Sequence, residues 1–269
     1  MKTKKITAVC MAAGLTLLGT AGVIAYASGN PYETYKSAVV STISEDNLTA
    51  QATVQMKQNG KVIASGYGIY EKSAYAQYAN VTADVSGNSI VHEEYSDGNQ
   101  YTEKNRKEKS DKHEQLTPNM IKLAEMTADL FVGDLTNQFT INGDTVSITL
   151  TDVQIPEIAN VAASVFTEIN TGKPADESKN NLEDILLQEF PIAQNARIES
   201  VSMDADISKG NLSAQNMTIV MSGQTSDGKD TQVEVTVDAN ITDIGSTTPQ
   251  MIDTSSMQKI SSLEDESEN

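Results

Sequence analysis

The chain is short of the residues that most recognisable chemistry needs. It has one Cys, two His, no Trp and four Phe in 269 residues. One Cys excludes an internal disulfide framework and a Cys-based zinc site. Two His leave little for His-centred metal or acid–base chemistry. Basic residues are scarce too: 19 Lys and Arg stand against 37 Asp and Glu, a net charge of −18. That balance excludes nucleic acid as a partner, because phosphates are bound by clustered Lys and Arg. No phosphate loop, dinucleotide fingerprint or EF-hand spacing occurs, and no Gly-x-Ser-x-Gly surrounds a Ser. No cofactor and no metal are implied.

What the sequence does contain begins at the amino terminus. Lys2, Lys4 and Lys5 form a basic cluster, and Ile6 to Ala27 follows with no charge. The run closes on Ala25-Tyr26-Ala27, small residues at the −3 and −1 positions of a signal-peptidase site. It is also long enough to cross a hydrocarbon core of roughly 30 Å. Residues 1–27 are therefore a signal peptide or an N-terminal membrane anchor. Either exports the rest of the chain, since the positive end stays in the cytoplasm. The expected location is extracytoplasmic, secreted or tethered to the outer face of the membrane, with any membrane contact made by an uncleaved segment. Thr7-Ala8-Val9 before Cys10 does not make a lipobox. Without residues 1–27 the chain holds 16 basic and 37 acidic side chains, a net charge of −21. Such charge keeps a protein soluble and repels anionic surfaces.

Pattern supplies the elements. Asn30-Pro31 opens a helix over 31–44, with Tyr32, Tyr35, Val39 and Ile43 on one face. Residues 49–57 alternate apolar and polar side chains, and Asn59-Gly60 is a hairpin turn. Strands are expected at 61–71, 74–84, 88–95 and 100–106, giving a five-stranded antiparallel meander. Gly66 and Gly68 in the second strand mark a bulge or bend. Residues 103–114 are almost wholly charged and read as a solvated strand end and loop. Thr117-Pro118 opens a helix to about Leu135. Asn142-Gly143 turns into a strand at 145–151, and helices follow at 155–170 and 181–190. The last third returns to strands, 201–208, 212–222 and 233–241, joined by Lys209-Gly210-Asn211 and Ser226-Asp227-Gly228-Lys229. Residues 254–269 read as a disordered acidic tail.

Each strand offers one apolar face, and the helices are few. The expected fold class is α+β, a curved antiparallel sheet (a half-barrel) with helices packed on its concave face. Residues 30–253 form a single domain, since no Pro- or Gly-rich linker divides them. By alternation, the apolar side chains facing the concave side are Val54, Met56, Ile148, Leu150, Met203, Ile207, Val235 and Val237. They are the candidate ligand lining.

Catalytic candidates are thin, and none is assigned. His92 falls in a strand, in Val91-His92-Glu93-Glu94, and His113 in the charged loop; both read as surface histidines. Adjacent residues in a strand point to opposite faces, which argues against a His92-Glu93 metal pair. Asp204 and Asp206 share one strand face, the solvent-facing one.

The element order resembles that of the LolA-like, lipoprotein-carrier superfamily, which includes exported proteins of Gram-positive bacteria. The residues that carry the resemblance are the export signal, Tyr32-Glu33-Thr34-Tyr35-Lys36, and the hairpin Gln55-Met56-Lys57-Gln58-Asn59-Gly60-Lys61. The closing hairpin over 200–242 fits as well. The resemblance implies a half-barrel sheet, closed by helices, that holds acyl chains or other hydrophobic ligands without catalysis. The expectation is an exported, non-enzymatic binding protein for a lipid or other hydrophobic ligand. Two other readings stay open. One is a cell-surface interaction or sensor module with a packed interior and a protein partner. The other is a hydrolase.

Overall fold

A computed structural model of the chain describes residues 30–102, 133–157, 159–161, 163–164 and 190–260. Helix α1 spans Pro31–Ser44. The strands are β1 (Leu48–Gln58), β2 (Lys61–Lys72), β3 (Gln77–Val85), β4 (Asn88–Ser96), β5 (Gln100–Thr102), β6 (Thr140–Asn142), β7 (Thr145–Thr151), β8 (Gln194–Ser208), β9 (Asn211–Gln224), β10 (Asp230–Thr242) and β11 (Gln258–Ile260). All eleven belong to one open antiparallel sheet, ordered β11-β5-β4-β3-β2-β1-β10-β9-β8-β7-β6. The expected meander is β1 to β5. The closing strands β8 to β10 join it through β1, which pairs with β10 over ten residues from Thr49↔Thr242 to Gln58↔Val233.

Local chemistry explains the turns. Asn59 and Gly60 both adopt positive φ, 48° and 80°. That is the type I′ geometry whose twist matches the strands it joins. At Gly143, φ is 61°, and Asn142 already pairs with Thr145. The turn is therefore Gly143-Asp144, one residue later than the Asn-Gly signal suggests.

Helix α1 starts where the Asn30 side chain accepts a hydrogen bond from Tyr32 N at 2.9 Å. It buries Tyr32, Tyr35, Ala38, Val39 and Thr42. Those residues pack against β6 to β9. The Tyr32 ring lies 5.1 Å from Phe139. The Tyr35 hydroxyl donates to Gln215 Oε1 at 3.0 Å, and burial holds that phenol well above its usual pKa. Thr42 Oγ1 accepts from Leu212 N at 2.8 Å. That amide sits beside the register shift at Asp206/Ile207, where the ladder itself is irregular. A second helical stretch lies within 157–164. Asn160 Oδ1 accepts from Ile198 N at 2.9 Å, and the Ser164 hydroxyl donates to the Ala196 carbonyl at 3.0 Å. Its Ala163 packs with Ile192, Ala196 and Val233, so it lies on the same sheet face as α1. Of the expected helix ending near Leu135, only Gly133–Gln138 is described, as a 3-10 segment. The helix at 181–190 lies almost wholly outside the described residues.

Three features differ from expectation. Strand β8 begins at Gln194 rather than near 201, because register shifts at Gln194/Arg197 and Ile198/Ser200 break the alternation there. Gly66 and Gly68 are regular ladder positions opposite Val54 and Ala52; the irregularity in this pair of strands falls at Met56/Lys57. Residues 254–260 are not tail. Thr254–Ser256 form a 3-10 turn, and β11 pairs with β5. The segment between β10 and β11 is pinned on the way. The Asn47 carboxamide donates to Thr247 O (2.9 Å) and accepts from Thr247 N (2.6 Å). Gln250 N donates to Glu71 Oε2 at 2.6 Å.

Candidate functional site

The apolar side chains form continuous lines across the sheet, because directly opposed residues in an antiparallel ladder share a face. One line joins Val235, Met56, Ala64 and Val85. The next joins Val237, Val54, Gly66, Ala83 and Ile90. The third joins Ala239, Ala52, Gly68, Val81 and His92, and the fourth Ile241, Ala50, Tyr70, Ala79, Glu94 and Thr102. On the far side of β10 the lines continue through Met217 and Met203 to Ile148, and through Ile219 and Val201 to Leu150.

The two halves of this face differ in side-chain size. Over β7 to β10 it carries Ile148, Leu150, Met203, Met217 and Val237, all buried in one cluster with Tyr32, Tyr35 and Phe139. This half is filled core. Over β1 to β3 the floor is Ala50, Ala52, Ala64, Gly66, Gly68, Ala79 and Ala83, with Val81 and Val85 between them; its Ala and Val side chains are at most 7 % exposed, and Ala50 belongs to the same cluster. A Cβ built on Gly66 would meet only Thr82 O at 3.5 Å and Ala83 Cβ at 3.9 Å. Among the described residues both atoms belong to the neighbouring strand, while Ala52, Ala64, Val81 and Ala83 around it are at most 5 % exposed, so the floor is covered.

The sequence-derived lining residues are brought together, but mainly in the filled half. Ile148, Leu150, Met203 and Val237 are buried in the cluster under α1. Val54, Ile207 and Val235 are half-buried at its margin. Met56 touches two smaller clusters, one with Ala64, Val81, Ala83 and Val85, the other with Ile192, Ala196 and Val233. Alternation did not single out the small-residue floor. The signal available was the Gly66/Gly68 pair, since Gly inside a strand also marks close approach by another group.

His92 corrects the surface reading. It is 3 % exposed, and its Nε2 lies 2.8 Å from Glu94 Oε1. The two residues stand at i and i+2 and so share the apolar face, while Glu93 points the other way and accepts from the Tyr78 hydroxyl at 2.9 Å. Burial first, and then that carboxylate, push the Tyr78 phenol up to about 12. Tyr70, on the fourth line, donates to Gln77 Oε1 at 3.2 Å, and burial likewise raises its pKa to about 12. His113 lies outside the described residues. Asp204 and Asp206 face solvent as expected, each accepting from a β7 hydroxyl, Ser147 and Thr145.

A cavity of about 450 Å³ opens at the other end of the sheet, lined by Asn59, Asn195, Ser222, Gly223, Gln224, Asp230, Thr231 and Gln232. Its polar walls do not suit an apolar ligand. Among the described residues no three His, Cys, Asp or Glu side chains cluster as metal ligands. No described helix is long and apolar enough to cross a membrane.

Comparison with protein-family models and with curated proteins finds no match. Among solved structures, the chain is similar to a conserved protein of unknown function with a hot dog fold from Alicyclobacillus acidocaldarius, at 10 % identity over 85 % of this chain and 90 % of that one, with a TM-score of 0.13. A putative oleoyl thioesterase from Lactobacillus plantarum gives 10 % identity over 76 % of each chain and a TM-score of 0.12. Scores this low carry no argument about fold or function.

Proposed function

We propose that the chain is an exported, non-enzymatic binding protein, LolA-like in plan, that holds a lipid or other hydrophobic ligand on the apolar face of its sheet. In this reading the face is concave and the helices close over it. The ligand lies over β1 to β4, beside the filled core rather than inside it. The observation that supports the reading is the continuous apolar face of the sheet, which over β1 to β3 carries the small residues Ala52, Ala64, Gly66, Gly68 and Ala83, flanked by Val54, Met56, Val85 and Ile90. Small side chains across three neighbouring strands lower the floor without breaking the ladder.

The test is direct. Gently purified protein is examined by native mass spectrometry for co-purifying lipid, and delipidated protein is titrated with a fluorescent fatty acid. An apo mass together with no uptake would reject the proposal. The packed interaction module draws support from the four candidate lining residues that are buried in the core under α1. It expects no uptake and a protein partner recovered by crosslinking at the cell surface. A hydrolase would instead show turnover that is lost on replacing His92.

A further inference from the structure

The polar cavity at the far end of the sheet is shaped by a bulge. Between the pairs Gln194↔Gln224 and Arg197↔Ser222, two residues of β8, Asn195 and Ala196, stand against Gly223 alone. The crossing is close: a Cβ on Gly223 would lie 2.5 Å from Ile192 Cγ2 and 2.8 Å from the Gln194 carbonyl. The bulge holds Asn195 at a φ of 54°, in the left-handed region. Asn tolerates that region better than most residues, but it still costs backbone energy. Bulges re-aim a side chain, and here the re-aimed carboxamide stands on the wall of the cavity. The volume, about 450 Å³, falls within the roughly 300–1,000 Å³ of small-molecule sites. Asn59, Asn195, Asp230 and Gln232 on its walls are exposed.

The hydrogen bonds give these walls a direction. A carboxylate only accepts, so Gln224 Nε2 donates to Asp230 Oδ1 at 3.2 Å. Gln224 Oε1 is thereby free to accept from Asn195 Nδ2, at 3.0 Å. Among the described residues this relay leaves Asn195 Oδ1, Asp230 Oδ2, the Ser222 hydroxyl and a second hydrogen on each amide nitrogen for a ligand. Gln232 Nε2 is oriented in the same way by Glu199 Oε2 at 2.8 Å, and Asn59 Oδ1 by the Gln232 amide at 2.9 Å. Each amide is fixed by one bond and keeps capacity for another, so a ligand would pay little to order them. Donors and acceptors are mixed on the same wall. A ligand group that both donates and accepts matches such a wall, and a hydroxyl is that group.

We propose that this cavity is a saccharide site, taking a sugar ring whose neighbouring hydroxyls bridge the Asn195–Gln224–Asp230 relay. It is separate from the apolar face of the sheet, and the inference does not rest on the hydrophobic-ligand reading.

The experiment is a titration of isotopically labelled full-length protein followed by nuclear magnetic resonance. Glucose, maltose and N,N′-diacetylchitobiose are added at millimolar concentration. Tetrahydropyran-2-methanol, a similar ring with a single hydroxyl, is the control. The expected result is that at least one saccharide shifts the side-chain amide signals of Asn195, Gln224 and Gln232, and that the control does not. No shift with any saccharide, shifts confined to other parts of the chain, or equal shifts with the control would overturn the site. Asn195→Gly removes the carboxamide at a φ that suits glycine, so the bulge is retained. Its dissociation constant for the bound saccharide should rise about threefold to tenfold, the scale of one neutral hydrogen bond. An unchanged constant overturns the role given to the relay. The wild-type shifts decide even if that variant folds poorly, and failure here leaves the hydrophobic-ligand reading standing.

Discussion

Replacing Gly66 distinguishes a ligand trough from a filled core by the sign of the stability change. In Gly66→Ala the new Cβ makes ordinary contacts, 3.5 Å to Thr82 O and 3.9 Å to Ala83 Cβ. The backbone there is regular strand, outside the positive-φ region. Loss of the glycine's freedom in the unfolded chain should then stabilise by about 0.4–1 kcal/mol. Gly66→Leu extends the side chain further from the floor. If there is open space, a larger side chain gains partial burial and stability holds or rises. If a packed layer lies there, overpacking costs about 1–3 kcal/mol. The assay is urea unfolding followed by far-UV circular dichroism, since the chain has no Trp to report tertiary structure. Ligand uptake is measured on the same samples. The trough predicts that Gly66→Leu keeps or gains stability and loses most of its fatty-acid uptake. A loss of more than about 1 kcal/mol with uptake unchanged would refute it.

Three further outcomes follow from the same geometry. Gly223→Ala places a Cβ 2.5 Å from Ile192 Cγ2 and 2.8 Å from the Gln194 carbonyl, beside the irregular start of β8. It should destabilise by about 1–3 kcal/mol, and a midpoint equal to wild type in the urea series would contradict the close packing there. Thr42→Val keeps the shape but removes the acceptor of Leu212 N, so a loss of about 1–3 kcal/mol is expected from one buried, unpaired amide. Stability should also fall in alkali. The Tyr70 and Tyr78 phenols are raised to about 12 in the folded protein, against about 10 when unfolded. The unfolded chain therefore releases these protons first. The contribution is complete below pH 10 and is lost as pH rises toward 12. Tyr70→Phe should flatten that slope, and an unchanged slope would show that Tyr70 is not desolvated.

Much of the architecture was legible because period-2 alternation and turn chemistry are local signals. Ala50, Ala52, Val54 and Met56 fixed one face of β1, and Asn59-Gly60 fixed its hairpin. Where the backbone departs from the period, the signal fails. Strand β8 was read too short because bulges at Gln194/Arg197 and Ile198/Ser200 move side chains out of phase. The β11 strand was missed because its pairing is non-local. Three residues of polar, mixed sequence dock on the equally short β5, which no window around 258–260 can show. His92 was read as exposed because a single polar residue in a strand normally marks the wet face. Here Val81 beside it and Glu94 two residues on place it on the other face.

The same limit applies to the candidate site, and it suggests how such sheets are better read. Alternation assigns a face; it does not separate side chains that fill a core from those that line a space. Volume along the ladder does. From β7 to β10 the apolar positions are large, Leu150, Met203, Met217 and Ile219, and α1 packs into them with two Tyr rings. From β1 to β3 the same two lines continue as Met56, Ala64 and Val85, and as Val54, Gly66 and Ala83. A floor of that kind must be met by something bulkier from above if voids are to be avoided. Among the described residues only atoms of the neighbouring strand come within 4 Å of a Cβ built on Gly66, and the low exposure of Ala52, Ala64, Val81 and Ala83 shows that the floor is covered.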